Sequence, residues 1–546
     1  MLSYRKLAMR VLGRPLHTGG GIDSPRPASQ RAAAFILTAA MLTTLAAPAF
    51  AGTWDIEKGD ITVKAGETGN DVTQNNETTY GDTGTVITGK SDKNTVTIDA
   101  GNDKVEVTLD NVNIKADSGS ALTSNGDVTL TLKGENHLTG GNGDTYGGDG
   151  ITSSGSLTIS GGTVTATGGN NTGSDGSGGS GIYSVSGSVT ISGGTVNATG
   201  GEGSKNNSTS GGSGIYSDSG DVTISGGTVN ANGGNGGTIS GGDGICSSGG
   251  VTISSGSTVT ANGGSGEDGS GGRGITSNGG VTVSGGTVNA KGGSGKNGNG
   301  GDGILSFNPV AISGGTVKSN GGSGTISGGD GIRSLDHVAI SGGTVKSNGG
   351  SGNLSGGNGI ISNDIDLSGS LELTAKAGSP NGKALSRVGS ELDLNTIKDK
   401  LDPGAKVTAT DADGKVIQQV SIPRPVEPEE PSSSSDGGSS APSAPASSLP
   451  GLTVTDKDGQ RISYTSIRGN NVLSLSVGRF TASLRISLAA LRQLRAEGIE
   501  TITFQTILCS TTLSVDELLA MGGEDAEVVL THHIRSSTLT VGGKAV

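Results

Sequence analysis

The sequence is poor in the residues that usually fill a globular core. Aromatic residues account for 2% of the 546 residues, and there are only two cysteines, Cys246 and Cys509. Because a conventional globular core uses more aromatic side chains, we expect an interior that is aliphatic and thin. The two cysteines lie in different regions of the chain, so we expect free thiols rather than a disulfide framework.

Positive charge is also scarce. The chain carries 37 lysine and arginine residues against 50 aspartate and glutamate residues, a formal net charge of −13. Nucleic-acid phosphates are bound by clustered basic residues, so this balance argues against a nucleic-acid partner. Beyond the N-terminal segment there is no run of about 18 apolar residues, so no membrane span is expected after signal removal.

The N-terminal segment has the pattern of an export signal. The apolar run Ala32–Ala46 follows Arg31, and Ala49–Ala51 provides the small residues that a signal peptidase requires. The pattern predicts a signal peptide over residues 1–51 and a mature chain that starts at Gly52, with an uncleaved anchor as the alternative. We therefore expect a protein that is secreted and extracellular, or associated with the cell surface.

Glycine, in contrast, is abundant, with 104 residues, and the glycine-rich part of the chain is periodic. Val222–Ala231 reads VTISGGTVNA, and nearly the same letters return at Val189–Ala198 and Val281–Ala290. A small residue followed by an aliphatic one recurs roughly every 25 to 33 residues, which is a solenoid-length period. These aliphatic positions are Leu122, Ile151, Ile182, Ile215, Ile245, Ile275, Ile304, Ile332, Ile360 and Leu385.

The repeat also indicates how a solenoid would be packed. In a pleated strand Val222 and Ile224 share one face, while Thr223 lies on the other. Stacked coils about 4.8 Å apart would bury each other's valine and isoleucine rows, which no single repeat could bury. The Gly-Gly pair between strands permits a sharp corner. Three short strands per coil predict an all-β parallel β-helix rather than a sandwich or propeller, which would use longer antiparallel strands.

Changes in composition divide the chain into segments. The repeats predict a parallel β-helix over residues 52–397, with an irregular N-terminal cap at Gly52–Asp92 that shields the open end. Residues 398–451 are predicted to be a tail and a linker, because Pro423–Pro450 is rich in proline and serine. Residues 452–546 are predicted to form a small α/β domain of unknown role.

The C-terminal domain shows helix signals that the repeats lack. Ser487–Gly498 has a helical period, begins with a capping serine and ends in glycine, and Ser514–Glu517 forms a capping box. Strands are predicted at Val472–Val477, Thr501–Gln505 and Glu527–Thr531.

No motif in the sequence assembles a catalytic site. There is no nucleophile elbow or P-loop, and the histidines show no metal-binding spacing. These histidines are His17, His137, His337, His532 and His533. We therefore predict that the protein is not an enzyme and name no catalytic residue.

One repeat position, directly before the Gly-Ile step, offers a candidate metal site. In successive coils Asp302 and Asp330 would lie within several ångströms of each other and repel unless a cation or solvent intervenes. Carboxylate and carbonyl oxygens are the ligands that Ca²⁺ prefers, so the pair is a candidate calcium site, with solvated turn carboxylates as the alternative. At the same position Arg273 is expected to compensate Asp243 and Asp302.

Two tyrosines are candidate ligand-binding residues. Tyr183 and Tyr216 hold the same register in adjacent coils, directly after Ile182 and Ile215, so we expect them to point outward and stack. Aromatic faces attract the C–H faces of sugars, although local packing against an exposed strand explains the same pair.

The sequence resembles a known family of secreted bacterial proteins. Thr95–Gly141 reads TVTIDAGNDKVEVTLDNVNIKADSGSALTSNGDVTLTLKGENHLTGG and is followed by units such as SGGTVNATGG at Ser192–Gly201. This pattern is similar to the carbohydrate-binding domain family whose clostridial representative binds cellulose and polygalacturonate, and it covers Gly52–Ile397. The resemblance implies a right-handed parallel β-helix like that of pectate lyases, bound calcium and a polysaccharide ligand. Glycine-rich ISGG repeats are also typical of adhesin-like surface proteins.

Together these observations predict a secreted, non-catalytic, monomeric protein that binds polysaccharide through an extended face of the β-helix. The resemblance implies a plant cell-wall or anionic glycan, with Ca²⁺ bridging the acidic groups. A structural or adhesin-like surface stalk is the first alternative. A polysaccharide lyase is the second, and it would need a basic residue beside calcium, whereas Arg273 and Arg333 are two repeats apart.

Overall fold

The computed structural model divides the chain into two compact units, Met1–Glu427 and Pro428–Val546. The described residues are 51–205, 207–423, 451–456, 460–462, 464–469, 471–477, 479, 481–506, 510–521, 526–533, 537–542 and 544–545. The predicted signal peptide up to Phe50, residues 424–450 of the predicted linker and Cys509 lie outside the described residues. In the first unit, the described chain forms a parallel β-solenoid of about 14 turns, which confirms the predicted all-β fold.

Three parallel sheet faces, which we call A, B and C, make up the solenoid. Face A holds the Gly-Ile steps in strands Ile61–Ala65, Ile151–Ser153, Ile182–Ser184, Ile215–Ser217, Ile245–Ser247, Ile275–Ser277, Ile304–Ser306, Ile332–Ser334, Ile360–Ser362 and Leu385–Arg387. Face B holds the VTI segments of the repeat and, before them, two strands without that motif. Its strands are Thr53–Asp55, Val86–Thr88, Val189–Ile191, Val222–Ile224, Val251–Ile253, Val281–Val283 and Val310–Ile312.

Face C holds the TVNA segments of the repeat. Its strands are Lys90–Ser91, Asn113–Lys115, Thr195–Thr199, Gly227–Asn232, Ser257–Asn262, Thr287–Lys291, Thr316–Asn320 and Lys406–Thr410. Some strands continue around a corner and belong to more than one face. These longer strands are Val96–Asp110, Leu122–Thr139, Leu157–Thr167, His337–Asn348 and Asp364–Lys376.

Equivalent residues of successive coils stand directly beside each other on each face. On face B, Val222 pairs with Val251 and Ile224 pairs with Ile253 in parallel register. The four side chains are buried, whereas Thr223 between them is half-buried on the outer side. This alternation confirms the inward rows predicted from the VTI pattern, and one continuous aliphatic core runs along the solenoid.

The N-terminal end of the solenoid contains regular strands rather than the predicted irregular cap. Ile61–Ala65 pairs antiparallel with Asn70–Gln74, which pairs antiparallel with Glu77–Asp82. The buried carboxylate of Asp82 accepts hydrogen bonds from the Gly52 amide and the Trp54 indole, both at 2.9 Å. These hydrogen bonds hold the first strand, Thr53–Asp55, in place. They could not be predicted from the sequence, because this coil lacks the repeat motif. A short 3₁₀ helix, Ile56–Lys58, follows that strand.

The C-terminal end of the solenoid extends past the boundary predicted at Ile397. A 3₁₀ helix, Leu394–Lys400, is followed by Lys406–Thr410, which pairs in parallel with the preceding coil. Val416–Ser421 then pairs antiparallel with Lys406–Thr410 and covers the last parallel edge. A second antiparallel pair joins Leu385–Arg387 to Ser390–Glu391.

A glycine-rich ridge runs along the corner between faces C and A. After a face-C strand the chain leaves through a Gly-Gly pair, turns at a tip of variable length, and returns through small residues to face A. In two coils the ridge contains a short strand, Asp175–Ser177 or Ser208–Ser210. We call these loops the glycine ridge; it comprises residues 140–149, 168–180, 200–205, 207–213, 233–243, 263–273, 292–302, 321–330 and 349–358.

Backbone hydrogen bonds between glycines join the outgoing and returning segments of the glycine ridge. The N–H of Gly234 donates to the carbonyl of Gly212 at 2.8 Å, that of Gly242 to Gly234 at 2.9 Å, and that of Gly264 to Gly242 at 2.8 Å. A Cβ atom on Gly242 would overlap the carbonyl oxygen of Gly212. The two segments approach so closely that they leave no room for a side chain, which explains the paired glycines at both ends of the loop.

The C-terminal unit, described by itself, contains two small sheets and two helices, as the predicted α/β domain requires. One sheet contains strands Leu452–Thr455, Ala482–Ser487, Glu527–His532, Ser537–Val541 and Lys544–Ala545. The other contains Thr465–Gly469, Val472–Ser476, Thr501–Gln505 and Ser510–Ser514. His532 is buried between strands of the two sheets, where its Nε2 lies 2.9 Å from the Thr511 hydroxyl, whereas His533 is exposed.

Both predicted helices of this unit are present. Helix α1 spans Leu488–Ala496, and the Ser487 side chain accepts a hydrogen bond from the Ala490 amide at 3.2 Å, as a capping serine does. Helix α2 spans Val515–Met521 and begins directly after Ser514. No helix in the described part of the chain is long and apolar enough to cross a membrane.

We predict that replacing Ile224 and Ile253 together by serine strongly destabilises the solenoid. Both side chains are fully buried, and each substitution removes aliphatic volume and buries a hydroxyl, so the pair should lower the free energy of unfolding by at least about 4 kcal/mol. Thermal unfolding followed by circular dichroism measures the effect. Serine at Thr223 and Thr252, on the outer side of the same strands, is the control. Equal stability of both double variants would contradict the assigned faces.

Close packing of the glycine ridge leads to a second prediction. Gly242→Ala forces its new methyl group against the Gly212 carbonyl and should lower the free energy of unfolding by about 1–3 kcal/mol. Gly193→Ala serves as the matched control, because no atom lies within 4 Å of a Cβ built there. Its stability should be unchanged or slightly higher, since alanine restricts the unfolded chain. Equal losses at the two positions would show that the ridge is not tightly packed.

Candidate functional site

A concave feature of the solenoid lies where the glycine ridge returns to face A. Two adjoining cavities, of about 310 and 410 Å³, share Ser270, Gly271 and Arg273. We call the two together the axial cleft. Its polar and charged lining consists of Ser213, Ser240, Asp243, Ser270, Arg273, Asn299, Asp302, Ser327, Asp330 and Arg333, with Ile239 as an apolar member.

A row of side chains at the entry to face A bridges successive coils of the axial cleft. Asp243 accepts a hydrogen bond from the Arg273 amide at 2.7 Å, and Asp302 accepts one from the Asp330 amide at 2.7 Å. Asp330 in turn accepts from the Asn358 amide at 2.6 Å. Each carboxylate therefore satisfies a backbone N–H in the next coil, which is a structural role that spacing alone did not predict.

The second oxygen of each buried carboxylate faces an arginine. Asp302 Oδ2 lies 3.9 Å from Arg273 Nε, and Asp330 Oδ2 lies 3.7 Å from Arg333 Nη1. Both carboxylates are buried, whereas the two arginine side chains are nearly half exposed to solvent. Asp302 and Asp330 are thus neighbours, as predicted, but each has its own donor and counter-charge rather than facing the other unpaired.

Burial raises the pKa of both carboxyl groups, Asp302 and Asp330. Burial, and then the neighbouring Asp330 carboxylate, raises the pKa of Asp302 to about 6. Burial also raises the pKa of Asp330, although the hydrogen bonds from Asn358 oppose that rise. The energetic cost of keeping these carboxylates charged in a buried place is the dominant effect in both cases.

The surroundings of Asp302 and Asp330 do not fit a calcium ion. Ca²⁺ takes six to eight oxygen ligands, but one oxygen of each carboxylate already accepts a backbone amide and the other faces a guanidinium. Within the described residues, no group of three or more His, Cys, Asp or Glu side chains could hold a metal ion. The dependence of ligand binding on calcium stays a prediction.

The two tyrosines form an aromatic pair on the outer side of face A. The rings of Tyr183 and Tyr216 stack with centroids 5.2 Å apart and an interplanar angle of 12°, as their register predicts. The Tyr216 hydroxyl donates to Asp218 at 2.6 Å. Burial raises the pKa of both phenols, so both remain neutral donors at physiological pH. Their binding of a ligand stays a prediction.

The tyrosine pair and the axial cleft share one row of face A. From Tyr216 the row continues through Cys246, Thr276 and Leu305 to Arg333, one residue per coil. Burial raises the pKa of the Cys246 thiol to about 12, so it is neutral and unreactive. Arg333 was not predicted to lie in this row, although the signal is present in the sequence: it is the residue that follows the Gly-Ile step.

Chemically, the axial cleft offers hydroxyl, amide, carboxylate and guanidinium groups at intervals of one coil. Arg273 and Arg333 each lie beside a different carboxylate rather than converging on one point. Such an arrangement suits the binding of a long polar chain through many hydrogen bonds. The stacked pair of Tyr183 and Tyr216 lies on the same face, in the coil of Ser213 and the coil before it.

Titration of Asp302 gives a pH prediction. Its pKa in the folded protein, about 6, lies above the value of about 3.9 in the unfolded chain. Protonation of Asp302 therefore favours folding at pH values below about 3.9, and this contribution to stability is lost as the pH rises through about 6. Asp302→Asn keeps an acceptor for the Asp330 amide and removes the charge. The difference in thermal unfolding midpoint, Asp302→Asn minus wild type, should therefore increase as the pH is raised from 4 to 7.

Thermal unfolding midpoints at several pH values test this expectation. Asp243→Asn is the matched control, because Asp243 makes the same backbone bond from a less buried place in the row. Parallel stability curves for wild type and Asp302→Asn would mean that Asp302 titrates alike in the folded and unfolded chain.

Comparison with known proteins identifies no relative from which a function could be transferred. No family model, no curated protein and no solved structure matches this chain. Function therefore has to be argued from the side chains of the axial cleft and of the outer faces.

Proposed function

We propose that the protein binds polysaccharide outside the cell and is not an enzyme, with the axial cleft and the tyrosine pair as its binding surface. The observation that carries this proposal is the alignment of Tyr183, Tyr216 and Arg333 in one row beside a polar cleft. A parallel β-solenoid is compatible with such a role. The resemblance to carbohydrate-binding β-helix proteins, read from the repeat letters, points the same way.

The extent of the cleft suits a chain ligand. From the strand of Tyr216 to that of Arg333 there are four steps between coils, or roughly 19 Å at about 4.8 Å for each step. A surface of this length spans several sugar rings. Serine hydroxyls at Ser270 and Ser327 and the amide of Asn299 repeat along it, so affinity would come from many similar contacts.

The electrostatics of the cleft favour a ligand that accepts hydrogen bonds. Arg273 and Arg333 carry half-exposed guanidinium groups, whereas the carboxylates beside them are buried. The hydrogen-bond donors that face solvent therefore outnumber the exposed carboxylate groups. Sugar hydroxyls accept from such donors and donate to the serine and asparagine oxygens. Export through a signal peptide over residues 1–51 belongs to the same proposal, because it would bring the cleft into contact with extracellular glycans.

A surface stalk is the second candidate function. The observation in its favour is the continuous hydrogen bonding of coil to coil, on three faces and along the glycine ridge. Such bonding makes a stiff rod that could display the C-terminal unit. A polysaccharide lyase is kept as a third reading, and product analysis separates it from binding.

Binding of the chain Gly52–Val546 to insoluble polysaccharides tests the proposal. We predict retention on at least one of cellulose, polygalacturonate or a β-glucan, and at least about tenfold weaker retention for Tyr183→Ala with Tyr216→Ala, because the stacked rings are removed. Tyr80→Ala is the control, since Tyr80 is exposed in the N-terminal coils away from the cleft.

Two further measurements separate the alternatives. A chelator added to the same assay shows whether retention needs calcium. Release of unsaturated oligosaccharides from a soluble glycan would establish a lyase and overturn the non-catalytic proposal. If no polysaccharide retains the chain, the proposal fails and the stalk becomes the better account.

A further inference from the structure

Face C carries a cluster of lysines in its last five strands, although the protein as a whole is acidic. Along each of these strands, outward side chains alternate with side chains that are buried in the core. All five lysines occupy outward positions, and four of them are exposed. None has an ion-pair partner within 4.0 Å among the described residues. We call the cluster the lysine patch; it consists of Lys291, Lys318, Lys346, Lys376 and Lys406.

The lysine patch begins abruptly along the face. In the three short strands upstream, Thr195–Thr199, Gly227–Asn232 and Ser257–Asn262, every outward side chain is neutral. The row that contains Asn230 and Asn289 continues with lysine in the next two coils, at Lys318 and Lys346. One acidic residue, Glu372, occupies an outward position in the last five strands of the face. The charge is therefore local and not an average property of the surface.

Two lysines of the patch are direct neighbours. Lys318 and Lys346 pair in parallel register on adjacent strands, about 4.8 Å apart along the solenoid axis. Like charges directly opposite each other on a sheet destabilise it. The flanking Asn348 amide donates to the Asn320 oxygen at 2.7 Å, so this hydrogen bond does not involve the lysines. Nothing described on face C neutralises the central pair, and an anion bound across both ammonium groups would do so.

We infer that the lysine patch binds sulfate groups of a sulfated polysaccharide. A sulfate ester stays charged at all physiological pH values, and its tetrahedral oxygens accept from the point-like lysine ammonium without the bidentate geometry that arginine gives to carboxylates. Threonine and asparagine side chains between the lysines supply hydrogen bonds for sugar hydroxyls. The ligand class rests on the proposed function, whereas the surface is distinct from the axial cleft.

The acidic remainder of the chain contributes selectivity in this arrangement. A formal net charge of −13 repels polyanions from most of the surface, so a sulfated chain is directed to the lysine patch, where Glu372 is the one outward acidic residue described. Binding should consequently weaken with salt, because ions are released when the ammonium groups neutralise the polymer.

Dextran sulfate and dextran, which share one backbone, are the probes for this inference. We expect the chain Gly52–Val546 to bind dextran sulfate and not dextran, with an affinity that falls as sodium chloride is raised. Lys318→Asn with Lys346→Asn should weaken binding at least tenfold and reduce the salt slope by about 1 to 2. Asparagine already stands in this row at Asn230 and Asn289, so the variant keeps a residue that the fold accommodates.

The matched control, Lys104→Asn with Lys133→Asn, changes net charge by the same amount outside face C. Equal loss in both double variants, or none in the first, would overturn the lysine patch as the site. Polygalacturonate that is bound as tightly as dextran sulfate, and is weakened equally by Lys318→Asn with Lys346→Asn, would overturn the preference for sulfate. Retention on neutral glycans that depends on Tyr183 and Tyr216 reports on the axial cleft alone, so failure of either proposal is distinguishable from failure of the other.

Discussion

The parallel backbone hydrogen bonds between successive coils are the interaction on which the rest of the structure depends. They fix each residue opposite its counterpart in the next repeat, about 4.8 Å away, and so turn one repeat position into one row of side chains. Core, cleft and outer faces are all built from such rows. Because each coil is supported mainly by its neighbours, stability is shared along the axis rather than concentrated in one centre.

The repeat motif predicted which side chains form rows along the solenoid, but it did not predict the first and last coils or the close packing of the glycine ridge. Val222 and Ile224 could be placed inside from alternation alone, and the stacking of Tyr183 on Tyr216 followed from shared register. The first and last coils lack the repeat letters, and the chain beyond Ile397 therefore looked like a tail. The Asp330 amide that donates to the Asp302 carboxylate could not be predicted, because a backbone amide of another coil has no signature in the sequence, whereas the ion-pair partner Arg273 was predicted.

Two outer surfaces use the same construction for different chemistry. In the axial cleft, guanidinium groups lie beside buried carboxylates, so charge is balanced locally and hydrogen bonding dominates. On face C, the lysines of the patch have no ion-pair partner within 4.0 Å among the described residues, so under our proposal an anionic ligand would be attracted over a longer range. A ladder of nearly identical coils can therefore present distinct surfaces on distinct faces, since substitution at one repeat position alters one row and leaves the core rows untouched.

The glycine ridge has a consequence for how such a protein can evolve. Its paired glycines meet backbone to backbone, so a side chain at Gly242 or Gly264 is disfavoured, whereas the tips between the pairs differ in length from coil to coil. Insertions can accumulate at the tips without shifting the register of any face. One wall of the axial cleft can thus grow outward in successive generations while its floor, and the spacing of groups along it, stays constant.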